Sequence, residues 1–308
     1  MSAARKEADM PGRVGCSAAE LFLQQLGACG VDYFFANGGT DFPPIAEAFA
    51  RAADGNRPVP RPMVVPHENA AVAMAHGVYM VSGRPQAVMV HVNVGTANTV
   101  NALLDASRDQ VPVLLFAGKT PYSEGGRHGA RTRYIHWAQE MFDQAGMLRE
   151  AVKWDGELRL PEQAGDLVSR AMQVAMASPR GPVYATLPRD TLAAVTEAVP
   201  VESATRATPT LPYPDPAALR QAAEWIAAAE SPLIVTASAG RTARGFAALS
   251  RLAERFALPV VEFHPRYANL PGDHPMHMGF LPGPLLAEAD LVLVVDCDVP
   301  WIPQQEAP

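Results

Sequence analysis

Cysteine is scarce: Cys16, Cys29 and Cys297 are the only three in 308 residues. Their separations match no metal-ligand spacing, and an odd count does not make a disulfide framework, so a reducing, cytoplasmic setting is expected. Long apolar runs are absent as well. None approaches the ~20 residues that a membrane helix needs. Residues 1–15 are polar, carry Arg5, Lys6 and Arg13, and lead into no apolar stretch that could be a signal-peptide core; they are expected to be a flexible tail. Basic clusters are missing too. Against 32 Asp and Glu stand 25 Lys and Arg, a formal charge of −7, and no stripe of cations could neutralise a phosphate backbone. Neither nucleic acid nor membrane is an expected partner. There is no Gly-x-Ser-x-Gly elbow of a serine hydrolase. Gly240-Arg241-Thr242-Ala243-Arg244-Gly245 lacks the spacing of a dinucleotide fingerprint, and Pro275 breaks the helix that would present His274 and His277 to a zinc ion.

What the chain does have is a globular composition, 48% hydrophobic and 19% charged, and a length that suits two domains. From Cys16 onward, short β-branched or aromatic runs alternate with longer Ala-rich amphipathic ones. That alternation predicts an α/β fold with a doubly wound parallel sheet. Strands are expected at Tyr33–Ala36, Met63–Pro66, Ala87–Val92, Val113–Ala117 and Val183–Leu187, covered on both faces. Helices are expected near Ala18–Gly30, Phe42–Ala53, Asn69–Ser82, Ala97–Arg108 and Pro161–Ala177. A first domain over 16–196 would end in a Pro-rich linker over 197–216, whose Pro200, Pro209, Pro212, Pro214 and Pro216 resist helix and central strand alike. The remainder, 217–308, reads as an incomplete Rossmann-like α/β domain with three strands.

Three turns that leave strands carry clustered polar and small residues, and ligands of open α/β sheets bind at such strand ends. In Val65-Pro66-His67-Glu68-Asn69 a carboxylate stands at the mouth of a helix, a place where it also simply favours the helix dipole, by ~0.3–1 kcal/mol. In His91-Val92-Asn93-Val94-Gly95-Thr96-Ala97-Asn98 the small residues admit a ligand to the backbone, while Asn93 or Thr96 would equally serve as an N-cap. Asn37-Gly38-Gly39-Thr40-Asp41 is the third, although Asn-Gly is also a common turn dipeptide. Together they would build one pocket.

These residues carry a resemblance. The run His67-Glu68-Asn69-Ala70-Ala71, then Ala75-His76-Gly77-Val78-Tyr79, the Gly95-Thr96-Ala97-Asn98 turn, and Asp105-Ala106 with Val111-Pro112-Val113 are similar in order and spacing to the pyrimidine-binding domain of thiamine-diphosphate enzymes. The chain most resembles the acetolactate synthase and benzoylformate decarboxylase group, from about Ala18 to Asp190, and its second unit resembles the start of that family's central domain. The resemblance implies that Glu68 bonds the pyrimidine ring nitrogen and favours the imino tautomer, whose exocyclic nitrogen takes the thiazolium proton. It implies that Gly38, Gly39, Thr40, His67, Asn93, Gly95, Thr96, Ala97 and Asn98 line the cofactor, and that Gln139 and Lys153 approach a 2-keto acid substrate. For those last two, a solvated polar face is an equal account.

The family's metal-binding opening, Gly-Asp-Gly followed ~25–30 residues later by Asn, is missing. Gly165-Asp166 and Gly272-Asp273 are not followed by Gly, and no Asn occurs after Asn269. Magnesium and the diphosphate would therefore be held by a domain absent from this chain, supplied by a longer parent or a separate subunit, and a homo-oligomer is expected. A flavin is left open, as is the choice between carboligation and plain decarboxylation. Val92-Asn93-Val94-Gly95 departs from the Ser-Gly-Pro-Gly turn usual in the synthases, which separates the class from the particular reaction. A different class of function, a binding or regulatory subunit that keeps the fold without turnover, also fits these residues.

Overall fold

Ser17 starts the first helix because it can satisfy free amides there: its Oγ accepts from Glu20 N at 3.2 Å, and Glu20 Oε2 accepts from Ser17 N at 2.9 Å. The computed structural model describes residues 15–200 and 209–305. The expected tail, apart from Gly15, and the middle of the expected linker lie outside the described residues. The chain divides into two compact units between Leu211 and Pro212.

In the first unit the elements run β1 (Cys16–Ser17), α1 (Ala18–Ala28), β2 (Tyr33–Asn37), α2 (Pro43–Asp54), β3 (Arg61–Val64), α3 (Glu68–Ser82), β4 (Gln86–Val90) and α4 (Val92–Asn98). They continue with α5 (Val100–Arg108), β5 (Val113–Lys119), α6 (Ile135–Ala138), β6 (Asp155–Glu157), α7 (Ala164–Met176), β7 (Val183–Pro188), α8 (Arg189–Ala193) and β8 (Val195–Thr196). Six strands form one parallel sheet in the order β3-β2-β4-β5-β7-β6, and β1 pairs antiparallel with β8. Helices α1, α2 and α7 cover one face, where Phe22 meets Phe116 edge-on at 4.8 Å between centroids. Helices α3 and α5 cover the other, through Ala71, Val72, Ala75, Leu103 and Ala106. The sheet is doubly wound, as the alternation implies.

Three departures have physical reasons. Strand β3 is shifted to Arg61–Val64 and largely exposed. It is an edge strand, where Pro62 loses no ladder bond. The expected helix over Ala97–Arg108 starts earlier, at Val92, and is interrupted at Thr99, whose Oγ1 donates to Thr96 O at 2.7 Å. Strand β6 has no apolar pattern to reveal it; Asp155-Gly156-Glu157 pairs with Tyr184–Thr186 at the other edge.

In the second unit α9 (Pro216–Ala228), β9 (Pro232–Thr236), α10 (Ala243–Phe256), β10 (Val260–Glu262), α11 (Gly283–Leu286) and β11 (Leu291–Val295) form a three-stranded parallel sheet, β10-β9-β11. Its least apolar core member is Glu262, which is 3% exposed. Glu262 accepts from Leu270 N at 2.9 Å and from Asn269 N at 3.3 Å, and His277 Nε2 lies 3.4 Å away. The carboxylate thus satisfies amides of the segment after β10 that have no other partner among the described residues. No helix among the described residues is long and apolar enough to cross a membrane.

Truncating that carboxylate leaves two buried amides and a cavity. Glu262→Ala is expected to destabilise the full chain by about 3 kcal/mol, read as a lower urea midpoint for the transition that reports on the second unit.

Candidate active site

Strand order reverses between β2 and β4: the chain leaves β2 toward β3 on one side and returns to β4 on the other. Ligands bind in the crevice outside the carboxyl ends of two such strands. The turn after β2 supplies Asn37 to Asp41, and the turn after β4 supplies His91. Asn37 Nδ2 donates to Val65 O at 2.9 Å, which fastens the end of β2 to the segment that leads to Glu68.

Glu68 opens α3 on the stripe that faces the core, in register with Ala71, Val72, Ala75 and Tyr79. That periodicity buries it. Asn98 Nδ2 donates to Glu68 Oε2 at 3.1 Å, whereas Oε1 has no hydrogen-bond partner among the described residues. His67 caps α3 by accepting from Asn69 N at 3.1 Å and keeps an exposed side chain. Asn69 Oδ1 accepts from Ala102 N at 2.9 Å, satisfying an amide in the first turn of α5. The carboxylate is thereby held between the start of α3 and the end of α4.

At the other end of α4, about 10 Å away for seven residues, His91 Nδ1 bonds Asp41 Oδ1, and His91 Nε2 lies 2.8 Å from Gln139 Nε2. Both close approaches need glycine. A Cβ on Gly39 would lie 2.3 Å from the His91 ring, and one on Gly118 would lie 1.5 Å from Asp41 Oδ2. Thr40 borders the same space. Gly38 packs on the Phe42 ring.

Not every expected residue joins these groups. Gly95 is buried against Val90, Asn93 Oδ1 accepts from Val94 N, and Ala97 is exposed. Thr96 turns inward: its Oγ1 donates to Val92 O at 2.7 Å and lies 2.9 Å from Tyr184 Oη, which accepts from Gln144 Nε2 at 2.9 Å. This network holds Val92, which has φ 31°, a conformation that costs an L-residue ~1–2 kcal/mol. The side chain of Thr96 is therefore a backbone anchor. Lys153 lies ahead of β6, at the amino edge of the sheet, and donates to Val174 O and Ala177 O, each at 2.6 Å. It caps α7, and burial lowers its pKa. Gln139 does reach the site; Lys153 does not.

The residues that sequence reasoning passed over are Asp41 and His91. His91 directly follows β4 and Asp41 lies in the turn after β2, both at the switch point, and that position was the available signal. The glycine that makes room for Asp41, Gly118, is 77 residues further along the chain, so no local pattern could reveal it.

A polar cluster borders this space. His136 Nε2 faces Arg189 Nη1 at 3.1 Å. Burial, and then the charges of Arg189, Arg133 and Arg131, hold its imidazole below the ordinary range. Burial also raises the Tyr122 phenol, whose hydroxyl bonds Glu157 beside Lys119.

A buried acid and a half-buried histidine, presented by turns on either side of a switch point, define an α/β ligand-binding domain equipped for proton transfer. Residues 16–147 match the family described as thiamine pyrophosphate enzyme, N-terminal TPP binding domain, and residues 219–307 match its central domain. The chain belongs to the thiamine pyrophosphate enzyme family. It is 33% identical to a probable 2-ketoarginine decarboxylase of Pseudomonas aeruginosa over 78% of this chain and 42% of that one. It is 30% identical to benzoylformate decarboxylase of the same organism over 76% of this chain and 44% of that one. A 4-hydroxybenzoylformate decarboxylase of Rhodococcus jostii superposes with a TM-score of 0.75 at 25% identity, over 91% of this chain and 52% of that one. The chain spans about half the length of its relatives. Glu68 Oε1, without a hydrogen-bond partner among the described residues, is an acceptor of the kind that the aminopyrimidine end of the family's cofactor needs. Among the described residues no group of three His, Cys, Asp or Glu could hold a metal ion.

Two outcomes are expected from this geometry. Gly118→Ala, which drives a methyl into Asp41, should cost about 2 kcal/mol, measured by urea denaturation. Because the folded pKa of His136 lies below its unfolded value of ~6.5, the unfolded chain takes up the proton first. Its contribution to stability is present above pH ~6.5 and is lost as pH falls toward the lowered folded value. His136→Gln should flatten that part of the stability profile, measured by urea midpoints across pH.

Proposed function

We propose that this chain supplies the pyrimidine-activating face of a thiamine-diphosphate-dependent 2-keto-acid enzyme, acetolactate synthase-like in class, that decarboxylates its substrate with or without carboligation. The observation that carries the reading is Glu68: a buried carboxylate on the core stripe of α3, steadied through Oε2 by Asn98 and open at Oε1. Two relatives whose names place them on 2-keto acids, the probable 2-ketoarginine decarboxylase and benzoylformate decarboxylase, support the substrate class.

When bound, thiamine diphosphate supplies a nucleophilic carbon and an electron sink for carbon–carbon cleavage. The protein's part is to hold and move protons. Glu68 Oε1 would share a proton with a ring nitrogen of the aminopyrimidine, and Asn98 Nδ2 fixes the other oxygen so that the carboxylate cannot rotate away. Gly38, Gly39 and Thr40 would border that ring along the turn after β2. Gln139 and His91 would face the substrate end. Magnesium and the diphosphate would be held by a further domain or subunit, with a second copy of the chain completing the pocket. A count of only three cysteines suits a reducing cytoplasm.

With the complementary diphosphate-binding domain present, Glu68→Gln is expected to slow deuterium exchange at the thiazolium carbon by roughly 10²-fold or more, followed by proton NMR. Unchanged exchange in a folded variant would refute the proposal.

A further inference from the structure

Asp41 is 3% exposed, and its Oδ2 is buried with no hydrogen-bond partner. Thr40, Val92, Lys119, His136, Gln139 and Arg189 close around it and leave no room for a water molecule. Among the described residues the carboxylate therefore has a single hydrogen-bond partner, His91 Nδ1. A buried anion with one available donor fixes which atom carries the hydrogen. Were the Nδ1 lone pair turned toward Asp41, two acceptors would meet in a dry space, and both would lose their bonds. With hydrogen on Nδ1, neutral His91 has its lone pair on Nε2, where Gln139 Nε2 donates at 2.8 Å. The glycines at 39 and 118 provide the space for this arrangement, because a side chain at either would displace one member of the pair.

We infer that Asp41 is a positioning residue that holds His91 as its Nδ1–H tautomer, and that Gln139 is a displaceable cover over the Nε2 lone pair, which becomes a proton acceptor for the hydrogen-bond donor of a small substrate that takes the place of the amide. The half-buried Gln139 follows directly on the four-residue α6, beside exposed Tyr134 and Trp137, so its side chain can swing aside without disturbing the sheet. This deepens the reading of the cleft as an acid–base site. Its test uses the full chain with neither cofactor nor partner, so it stands or fails independently of deuterium exchange in Glu68→Gln.

The chain labelled with ¹⁵N-histidine is examined by long-range proton–nitrogen correlation near pH ~8.5, above the ordinary imidazole value of ~6.5, with His91→Gln identifying the signals. Wild type is expected to show hydrogen on Nδ1 and none on Nε2, and Asp41→Ala is expected to move it to Nε2. In Gln139→Ala the Nδ1–H tautomer should persist, while carbethoxylation of His91 by diethyl pyrocarbonate, followed by peptide mass spectrometry, accelerates at least about fivefold. Hydrogen on Nε2 in the wild type, retention of the Nδ1–H form in Asp41→Ala, or an unchanged modification rate in Gln139→Ala would overturn the inference. The wild-type spectrum alone decides the tautomer if a variant does not fold.

Discussion

The reversal of strand order between β2 and β4 is the constraint from which the site follows. It parts two loops that would otherwise run to the same side of the sheet, and the gap receives whatever the turns carry. Here they carry a carboxylate, a histidine and several glycines. The parallel sheet beneath is buried on both faces and gives the turns a rigid base: His91 directly follows β4, and Asp41, in the loop after β2, is held by its bond to that histidine.

Two kinds of burial coexist in this crevice. Glu68 is buried by helix periodicity, on the same stripe as Ala71, Val72 and Ala75, yet one of its oxygens has no hydrogen-bond partner among the described residues. Asp41 is buried by close packing against the backbone of β5 and, among the described residues, bonds His91 alone. The first arrangement leaves a group able to act on a ligand; the second spends its group on orienting a neighbour. Between them α4 acts as a spacer, with His91 before its first residue and Asn98 as its last.

The polar interior also steadies backbone that would otherwise relax. Tyr184, Thr96 and Gln144 are contributed by β7, α4 and the segment after α6, and their chain of hydrogen bonds ends on the carbonyl of Val92, which has positive φ. Burial raises the Tyr184 phenol, so its hydroxyl stays protonated and able to donate. A strained residue at the mouth of a site is maintained by interactions made elsewhere, as local strain requires.

Much was legible in the chain itself. Alternating apolar runs determined the doubly wound architecture because each strand covered on two faces must be continuously apolar. Glu68 was legible because a carboxylate at a strand-to-helix turn lies both at a ligand-binding edge and on the core stripe of the helix that follows. Strand β6 was not legible, since an edge strand needs no apolar pattern when its partner supplies the ladder. Thr96 and Lys153 could be assigned only after folding: whether a hydroxyl faces a cleft or a tyrosine 88 residues away, and whether an ammonium meets substrate or caps a helix, depends on which surfaces the fold brings against them. The pairing of Asp41 with His91, 50 residues apart, belongs to the same category. Local sequence sets which groups are available at a turn, but only packing across the sheet decides which of them share a proton.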